Sequence, residues 1–272
     1  MEEQIAANRR RSLQLIIGFG AAIGLVLFAI LAIFGLKLVG LVLGVVVGVG
    51  ATWLVLNRSE RLILKANRAV PMADADQPRM VNLLESLCVA AGVTRPELRL
   101  IHDPAPNAFT VGRNAQNTTL VVTSGLLERL SLIELEGVLA HELARIRHLD
   151  TRLMTVAAAT VGAPVLLADS GFGPLGVLAP ASARLMQWAL SVQSDFLADV
   201  TGVSMTRYPP GLIAALEKLL VDNTVVGSVS RVTSPLWIEV PLETSEGSDV
   251  TGNRRFVTHP PLNERIALLQ EL

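Results

Sequence analysis

Two long apolar runs open the chain and determine its relation to the membrane. Leu13–Phe34 contains one polar side chain, Gln14, and Leu38–Leu56 contains only Thr52. Each run is close to the roughly 20 residues that a helix needs to cross the hydrocarbon core of a bilayer. The short connection Gly35–Lys37 predicts an antiparallel transmembrane hairpin rather than a cleaved signal peptide, whose apolar core is shorter.

Basic residues lie at both outer ends of this hairpin, whereas its tip carries only Lys37. They occupy positions 9–11 before the first run and Arg58, Arg61, Lys65 and Arg68 after the second. By the positive-inside rule, both outer ends face the cytoplasm. The sequence therefore predicts a multi-pass protein of the cell inner (plasma) membrane. Its hairpin unit covers 1–57, with spans at about 13–34 and 38–56, and a cytoplasmic domain covers 58–272.

Three glycines, Gly40, Gly44 and Gly48, recur on one face of the second span. Because they lack side chains, they let a neighbouring helix backbone approach closely. Packing within the hairpin and assembly into a homo-oligomer through this face are both consistent with the spacing.

Helical and strand patterns after the hairpin predict an α+β domain that is mainly α. Apolar positions at helical spacing predict helices at 76–91, 131–154, 185–206, 210–221 and from Pro261 to the end. Alternation and β-branched residues predict strands at 97–102, 107–111 and 118–123, which would form a small sheet. Ser131 and Glu134 are placed as a capping box at the start of the longest helix.

An apolar segment at about 155–180 interrupts this domain with several glycines and prolines. Neither half is a full membrane span without a helix breaker, so a flap at the membrane surface is favoured over two further spans. Residues 227–255 are rich in Ser, Thr and Gly, which predicts a long irregular segment.

Composition supports the membrane assignment and removes other classes of protein. Apolar residues make up 51% of the chain and charged residues only 17%, which is more apolar than an ordinary soluble protein. The net charge of −1 provides no electrostatic basis for binding nucleic acid, so no nucleic acid partner is expected. The single cysteine, Cys88, lies among apolar helical positions and is expected to be a buried core thiol.

The segment from Ala140 to His148 contains most of a zinc-peptidase motif. The pattern H-E-x-x-H places two imidazoles one turn apart on a helix, with a glutamate that activates a water molecule. His141 and Glu142 are present, but Arg145 stands where the second imidazole belongs. A guanidinium has no lone pair to offer a metal and stays protonated. His148 lies two helical turns beyond His141, too far for both rings to bind one ion easily.

Two aspartates on a later helix supply the other expected parts of such a site. Zinc peptidases of this type need a third ligand, usually Glu, and an acid four residues further on that orients the first imidazole. Asp195 and Asp199 occupy these places and share a helix face. Asp195 is shorter than Glu, and Arg145 is long enough to form a bidentate pair with either aspartate. We therefore hypothesise that Arg145 replaces the metal's charge and holds Glu142, Asp195 and Asp199 together.

Four further segments resemble blocks of one peptidase family, in the same order. They are residues 106–112 around Asn107-Ala108-Phe109, residues 122–127, residues 134–143 leading into the motif helix, and residues 258–266 around His259. Together with the two apolar spans, they make the chain resemble the HtpX-like membrane zinc metallopeptidases, which are gluzincins related to the CAAX prenyl proteases. The resemblance covers nearly the whole chain and implies a gluzincin-type metallopeptidase domain with zinc as its cofactor.

The resemblance also implies roles for individual residues. Glu142 would be the general base, His141 and Asp195 would be metal ligands, and Asp199 would orient His141. The residues expected to line the cleft and meet an extended substrate are Asn107, Ala108 and Phe109, with His259 nearby. The family as a whole implies a cytoplasm-facing endopeptidase that acts on membrane proteins.

Arg145 leaves three functional interpretations of the chain open. The favoured one is a pseudo-peptidase that binds membrane clients or partner proteins without cutting them, because a lone carboxylate cannot polarise a carbonyl or activate water as zinc does. A second is an active zinc-dependent metalloendopeptidase that cleaves membrane or misfolded proteins with a non-standard ligand set, such as His141, Asp195 and Asp199. A third is a membrane scaffold whose cleft has lost its role.

Overall fold

A computed structural model of the chain describes residues 2–165, 173–190, 192–222, 224, 226–227, 232–239 and 259–272. The helices are α1 (Glu2–Ile33), α2 (Lys37–Ala66), α3 (Pro78–Ala91), α4 (Ser124–Arg129), α5 (Leu132–Arg147), α6 (Asp150–Thr160), α7 (Ala179–Ala189), α8 (Val192–Thr206), α9 (Pro209–Val221) and α10 (Leu262–Gln270). The strands are β1 (Val70–Pro71), β2 (Glu97–Ile101), β3 (Ala108–Asn114) and β4 (Asn117–Thr123). The predicted class, α+β and mainly α, is confirmed.

Helices α1 and α2 form the predicted hairpin, and both are long and apolar enough to cross a membrane. Their interface is made by glycines, because a Cβ added at Gly44 would lie only 2.6 Å from the main-chain oxygen of Gly24. Gly48 approaches Gly20 in the same way, and Gly40 lies against the backbone of Phe28. This agrees with packing within the hairpin, while assembly through the same glycines stays a prediction.

Both hairpin helices extend well beyond their apolar runs into the rest of the fold. The first turns of α1 bury Asn8, Ser12 and Leu15 against the domain. Helix α2 continues through the basic stretch after residue 57 and buries Ile63 and Leu64 before it ends. The ends of both hairpin helices therefore pack as part of the domain.

The sheet has the strand order β1-β2-β4-β3, which leaves β3 at an edge. β4 pairs parallel with β2 and antiparallel with β3, and the short β1 adds antiparallel to β2. β1 was not predicted, since a two-residue strand that includes Pro71 has no readable period. β3 runs three residues past the predicted end at 111, because pairing with β4 continues to Asn114.

Two apolar cores lie on opposite sides of the sheet. One joins α3, α5 and α9 to alternate sheet residues such as Leu120. The other joins α6 and α7 to the opposite sheet face, including Phe109 and Val121. Helix α8 crosses α5 closely at Gly202, where an added Cβ would lie 2.9 Å from the main-chain nitrogen of His141. This close crossing brings the two acids of α8 to the motif helix.

Two predicted helices are each divided in two. The helix predicted at 131–154 breaks at Leu149, whose φ of 61° is in the left-handed region and starts α6 in a new direction. The helix predicted at 185–206 is α7 followed by α8, because Leu190 turns to an extended conformation. Both breaks occur at leucines, which carry no sequence signal for a helix end.

Two predicted segments fall largely outside the described residues. Of the insertion at about 155–180, the structure describes the end of α6, a helical turn at Gly173–Leu178 and the start of α7, but not residues 166–172. Of the irregular segment predicted at 227–255, it describes mainly 232–239, which contains a short helical turn at Ser234–Leu236.

Candidate functional site

Helix α5 presents His141, Glu142 and Arg145 toward β3 and α8, and all three side chains are fully buried. The predicted capping box at its start is confirmed. The Ser131 backbone N–H donates to Glu134 at 2.7 Å, and the Glu134 backbone N–H donates to the Ser131 hydroxyl at 3.4 Å. The cap therefore fixes the residue at which α5 begins and, with it, the direction in which the motif side chains point.

His141 is oriented by Asp199, as the sequence predicts. Their Nδ1 and Oδ1 atoms lie 2.7 Å apart, and Asp199 also accepts two 2.7 Å hydrogen bonds from the guanidinium of Arg265. Because a carboxylate in this arrangement can only accept, Nδ1 of His141 carries the hydrogen. Nε2 of His141 is buried and has no hydrogen-bond partner among the described residues. In the neutral ring this nitrogen carries the free lone pair.

Asp199 and Arg265 form a buried ion pair that supports this orientation. Burial acts to raise the pKa of Asp199, but the charge and hydrogen bonds of Arg265 outweigh it and lower that pKa. Burial likewise opposes the charge of Arg265, yet Asp199 raises the pKa of the guanidinium above its ordinary value. Arg265 comes from α10, so this pair ties the C-terminal helix to α8 and α5.

Asp195 is paired with His259, and this pair was not predicted. Nδ1 of His259 lies 2.8 Å from Asp195 Oδ2, and Nε2 donates to the main-chain oxygen of Pro235 at 2.8 Å. Both ring nitrogens of His259 therefore face hydrogen-bond acceptors, one a carboxylate and one a main-chain carbonyl oxygen. Burial opposes ionisation of Asp195, but the His259 charge and hydrogen bond lower the pKa of this carboxyl well below its usual range. The predicted place of His259 near the cleft is thus accompanied by a specific partner.

Arg145 pairs with Glu142 and with neither aspartate. Its Nη1 lies 3.3 Å from Glu142 Oε1 and donates to the main-chain oxygen of Leu236 at 2.7 Å, and its Nη2 contacts the sulfur of Met154. The hypothesis that Arg145 holds all three acids is therefore wrong for Asp195 and Asp199. Those two acids already have their own cations, His259 and Arg265, which are closer to them.

Glu142 has a second partner that sequence reasoning missed. The hydroxyl of Thr110 donates to Glu142 Oε2 at 2.8 Å and lies 2.8 Å from the hydroxyl of Thr151. Thr110 follows Phe109 in β3, so strand alternation places it on the α5 side while Phe109 faces the other core. The alternation could have identified Thr110. Arg265 lies within the family-like block 258–266, but its position there does not predict its partner.

Each of the three carboxylates of this site already has a basic partner. Glu142 pairs with Arg145, Asp199 with Arg265 and Asp195 with His259. Within this site, His141 Nε2 and Asp195 Oδ1 are ligand-type atoms without a hydrogen-bond partner among the described residues, and the neighbouring His148 Nδ1 and Asp150 Oδ2 share this property. No group of three His, Cys, Asp or Glu side chains suited to a metal ion occurs in the described ranges. The described residues of this site thus supply two open ligand atoms, fewer than the three protein ligands of a catalytic zinc site.

Asn107, Ala108 and Phe109 lie at the start of β3 or directly before it, and their expected role in lining the cleft stays a prediction. All three are buried. The ring of Phe109 lies 4.6 Å from that of Trp237, measured between centroids. The Asn107 side chain donates to the main-chain oxygen of Glu239 at 2.9 Å. This stretch is thus in contact with the chain's own segment 234–239.

A second buried polar cluster lies where α5 meets α6. Asn8 of α1 donates to the main-chain oxygen of His148 at 3.0 Å and to the carboxylate of Asp150. Burial raises the pKa of Asp150 to about 7. Burial, followed by the charge of Arg147, lowers the pKa of His148 to about 4. His148 lies 3.4 Å from the Thr201 hydroxyl through Nε2, so it takes part in this cluster.

Comparison with known proteins agrees with this architecture. The family described as peptidase family M48 matches residues 74–272. A protein named protease HtpX homolog from Dictyoglomus turgidum is 33% identical over 98% of this chain and 93% of its own length. Proteins of the same name from Listeria monocytogenes and Limosilactobacillus reuteri are 32% and 31% identical, each over 99% of both chains. No solved structure matches the chain.

Proposed function

Because the chain belongs to peptidase family M48, a generally zinc-dependent family of HtpX-like membrane metallopeptidases, and because Arg145 interrupts its motif, we propose that it binds peptides without cutting them. It would be a membrane-anchored pseudo-peptidase whose partners are membrane clients or other proteins. The edge strand β3 would receive an extended segment of the partner, since unpaired main-chain groups of an edge are a template for an added strand.

The buried position of Arg145 is the observation that carries this proposal. Its guanidinium is paired with Glu142, the residue that would otherwise activate water, and it donates to a main-chain carbonyl oxygen. A carbonyl oxygen is the atom that a catalytic zinc polarises. Arg145 can hold such an oxygen, but it cannot lower the pKa of a water molecule or coordinate one, so binding is supported and hydrolysis is not.

The proposed location is the inner membrane, with the domain on the cytoplasmic side. The two apolar helices support a membrane protein. The basic residues at positions 9–11 and from 58 to 68 support the cytoplasmic side for both outer ends of the hairpin. Clients that are themselves in the bilayer would then meet the domain next to its anchor.

One observation favours an active zinc endopeptidase as a second candidate. Nε2 of His141 and Oδ1 of Asp195 are both buried without hydrogen-bond partners among the described residues, and both are atoms that bind zinc. This candidate needs the Arg145 side chain to leave the site and a third ligand to replace it.

Restoring the motif tests the two candidates. Purified wild-type protein should hold well below one zinc per chain by plasma mass spectrometry and should leave casein intact. Arg145→His should gain zinc and casein cleavage that a chelator abolishes. The matched control is Arg145→His with Glu142→Gln, which should gain zinc but not cleavage. Stoichiometric zinc with chelator-sensitive cleavage in the wild type would establish the second candidate instead.

A further inference from the structure

Four carbonyl oxygens of one short segment are each bound by a side chain of the site. The segment is Pro235–Glu239, and the bound oxygens belong to Pro235, Leu236, Ile238 and Glu239. Their donors are respectively His259 at 2.8 Å, Arg145 at 2.7 Å, Arg265 at 2.8 Å and Asn107 at 2.9 Å. These donors come from the residue before β3, from α5 and from the C-terminal region, so separate parts of the fold converge on one backbone.

The same segment lies along the edge strand in the way an added strand does. Phe109 and Trp237 form an antiparallel bridge, and the backbone N–H of Ile238 donates to the main-chain oxygen of Ala108 at 2.9 Å. In β-augmentation, an extended peptide binds by forming main-chain hydrogen bonds with an edge strand. The part of β3 that a partner would use is therefore already in contact with the chain itself.

The side chains of the segment are divided between the two cores. Leu236 and Trp237 join the core that contains Phe109, whereas Ile238 joins the core that contains Leu139. All three are at most 1% exposed. The indole N–H of Trp237 has no hydrogen-bond partner among the described residues, so its pocket is apolar. A phenylalanine or leucine side chain could occupy the same apolar pocket, and it would leave no buried hydrogen-bond donor unsatisfied.

We propose that residues 235–239 are an internal occupant of the peptide-binding site, and that the site takes extended apolar peptides carrying an aromatic or large aliphatic residue opposite Phe109. Asn107, Arg145, His259 and Arg265 recognise main-chain carbonyl oxygens, while the two apolar walls select the side chains. A partner binds by displacing the internal segment. This inference rests on the proposed peptide-binding function and adds the ligand class and the competing segment.

Competition between the segment and an added peptide provides the test. An occupant within the same chain acts at an effective concentration on the order of millimolar, so it weakens the apparent affinity for a free peptide. The probe is a fluorescein-labelled peptide with the sequence of residues 233–239, and a scrambled version of it is the specificity control. Binding is measured by fluorescence anisotropy with the full chain in detergent.

Ile238→Pro removes the N–H that donates to Ala108, whereas Ile238→Val is the matched control that keeps it. The proline variant should bind the labelled peptide at least about tenfold more tightly than the wild type, because the internal occupant is weakened. The valine variant should match the wild type. Equal affinities for the two variants, with both folded by circular dichroism, would overturn the proposal.

A disulfide lock provides a second test that does not depend on the proline variant folding. In Phe109→Cys with Trp237→Cys, the bridged positions are close enough to form a disulfide. The reduced protein keeps the four side chains that bind main-chain carbonyl oxygens and should bind the labelled peptide, although more weakly for lack of the Phe109 ring, whereas the oxidised protein should not bind it. Equal binding in both states would overturn the proposal. Casein cleavage by zinc-loaded wild type would contradict the non-cutting function while leaving this order of affinities unchanged.

Discussion

Replacing Arg145 by methionine should destabilise the domain by about 3–5 kcal/mol, the range for removing one partner of a buried ion pair. Both Arg145 and Glu142 are 0% exposed, so water cannot take over the lost contact. Methionine keeps a long unbranched side chain, and the volume change is therefore small. What remains is the Glu142 carboxylate with the Thr110 hydroxyl as its hydrogen-bond partner among the described residues.

This energy is large enough to measure as a thermal shift. For a domain of this size each kcal/mol lowers the melting temperature by roughly 2–4 °C. Arg145→Met should therefore melt about 6–20 °C below the wild type when helix content is followed by circular dichroism in detergent at pH 7.

The double variant Arg145→Met with Glu142→Gln provides the control. Its neutral amide no longer leaves an unpaired buried charge, so most of the lost stability should return. If Arg145→Met alone melts within about 2 °C of the wild type, a shift of under roughly 1 kcal/mol, the buried pair is not what fixes Arg145 in place.

Three other expectations do not involve a change at Arg145. The buried Asp150 contributes stability that is present below pH 3.8 and lost as pH rises through about 7, whereas His148 contributes stability that is present above pH 6.5 and lost as pH falls through about 4. Between pH 4 and pH 7, the melting temperature of Asp150→Asn should therefore rise and that of His148→Gln should fall. Slopes of the same sign in the two variants would contradict these pKa shifts. Gly44→Leu should separate the hairpin helices and lower the melting temperature, whereas Gly50→Ala, which meets open space, should not. Cys88, whose pKa burial raises to about 11, should resist maleimide at pH 8 until the chain is unfolded.

Long periodic features of the chain were predictable because each depends on many residues. The hairpin follows from two uninterrupted apolar runs, and α5 follows from its capping box and helical spacing. The left-handed Leu149 was not predictable, because tertiary packing rather than local propensity holds a leucine in that conformation.

The candidate site was predictable to the extent that it follows from helix geometry. The spacing of Asp195 and Asp199 correctly placed Asp199 beside His141. The partners of each acid were not predictable from spacing, because Arg265 and His259 reach the site through long-range contacts that no local period encodes. Reasoning from the charges of the motif residues therefore assigned Arg145 two acidic partners, Asp195 and Asp199, with which it does not pair.

The continuity of α1 has a consequence for how this protein can be divided. A helix of its length is roughly 48 Å long, and it runs without interruption from Ile33 at the hairpin tip to Asn8, which contacts the joint between α5 and α6. Cutting the chain after its second apolar run would remove that contact together with the buried Leu15. The hydrophobic anchor and the domain therefore share one continuous helix, so neither can be removed without disturbing the other.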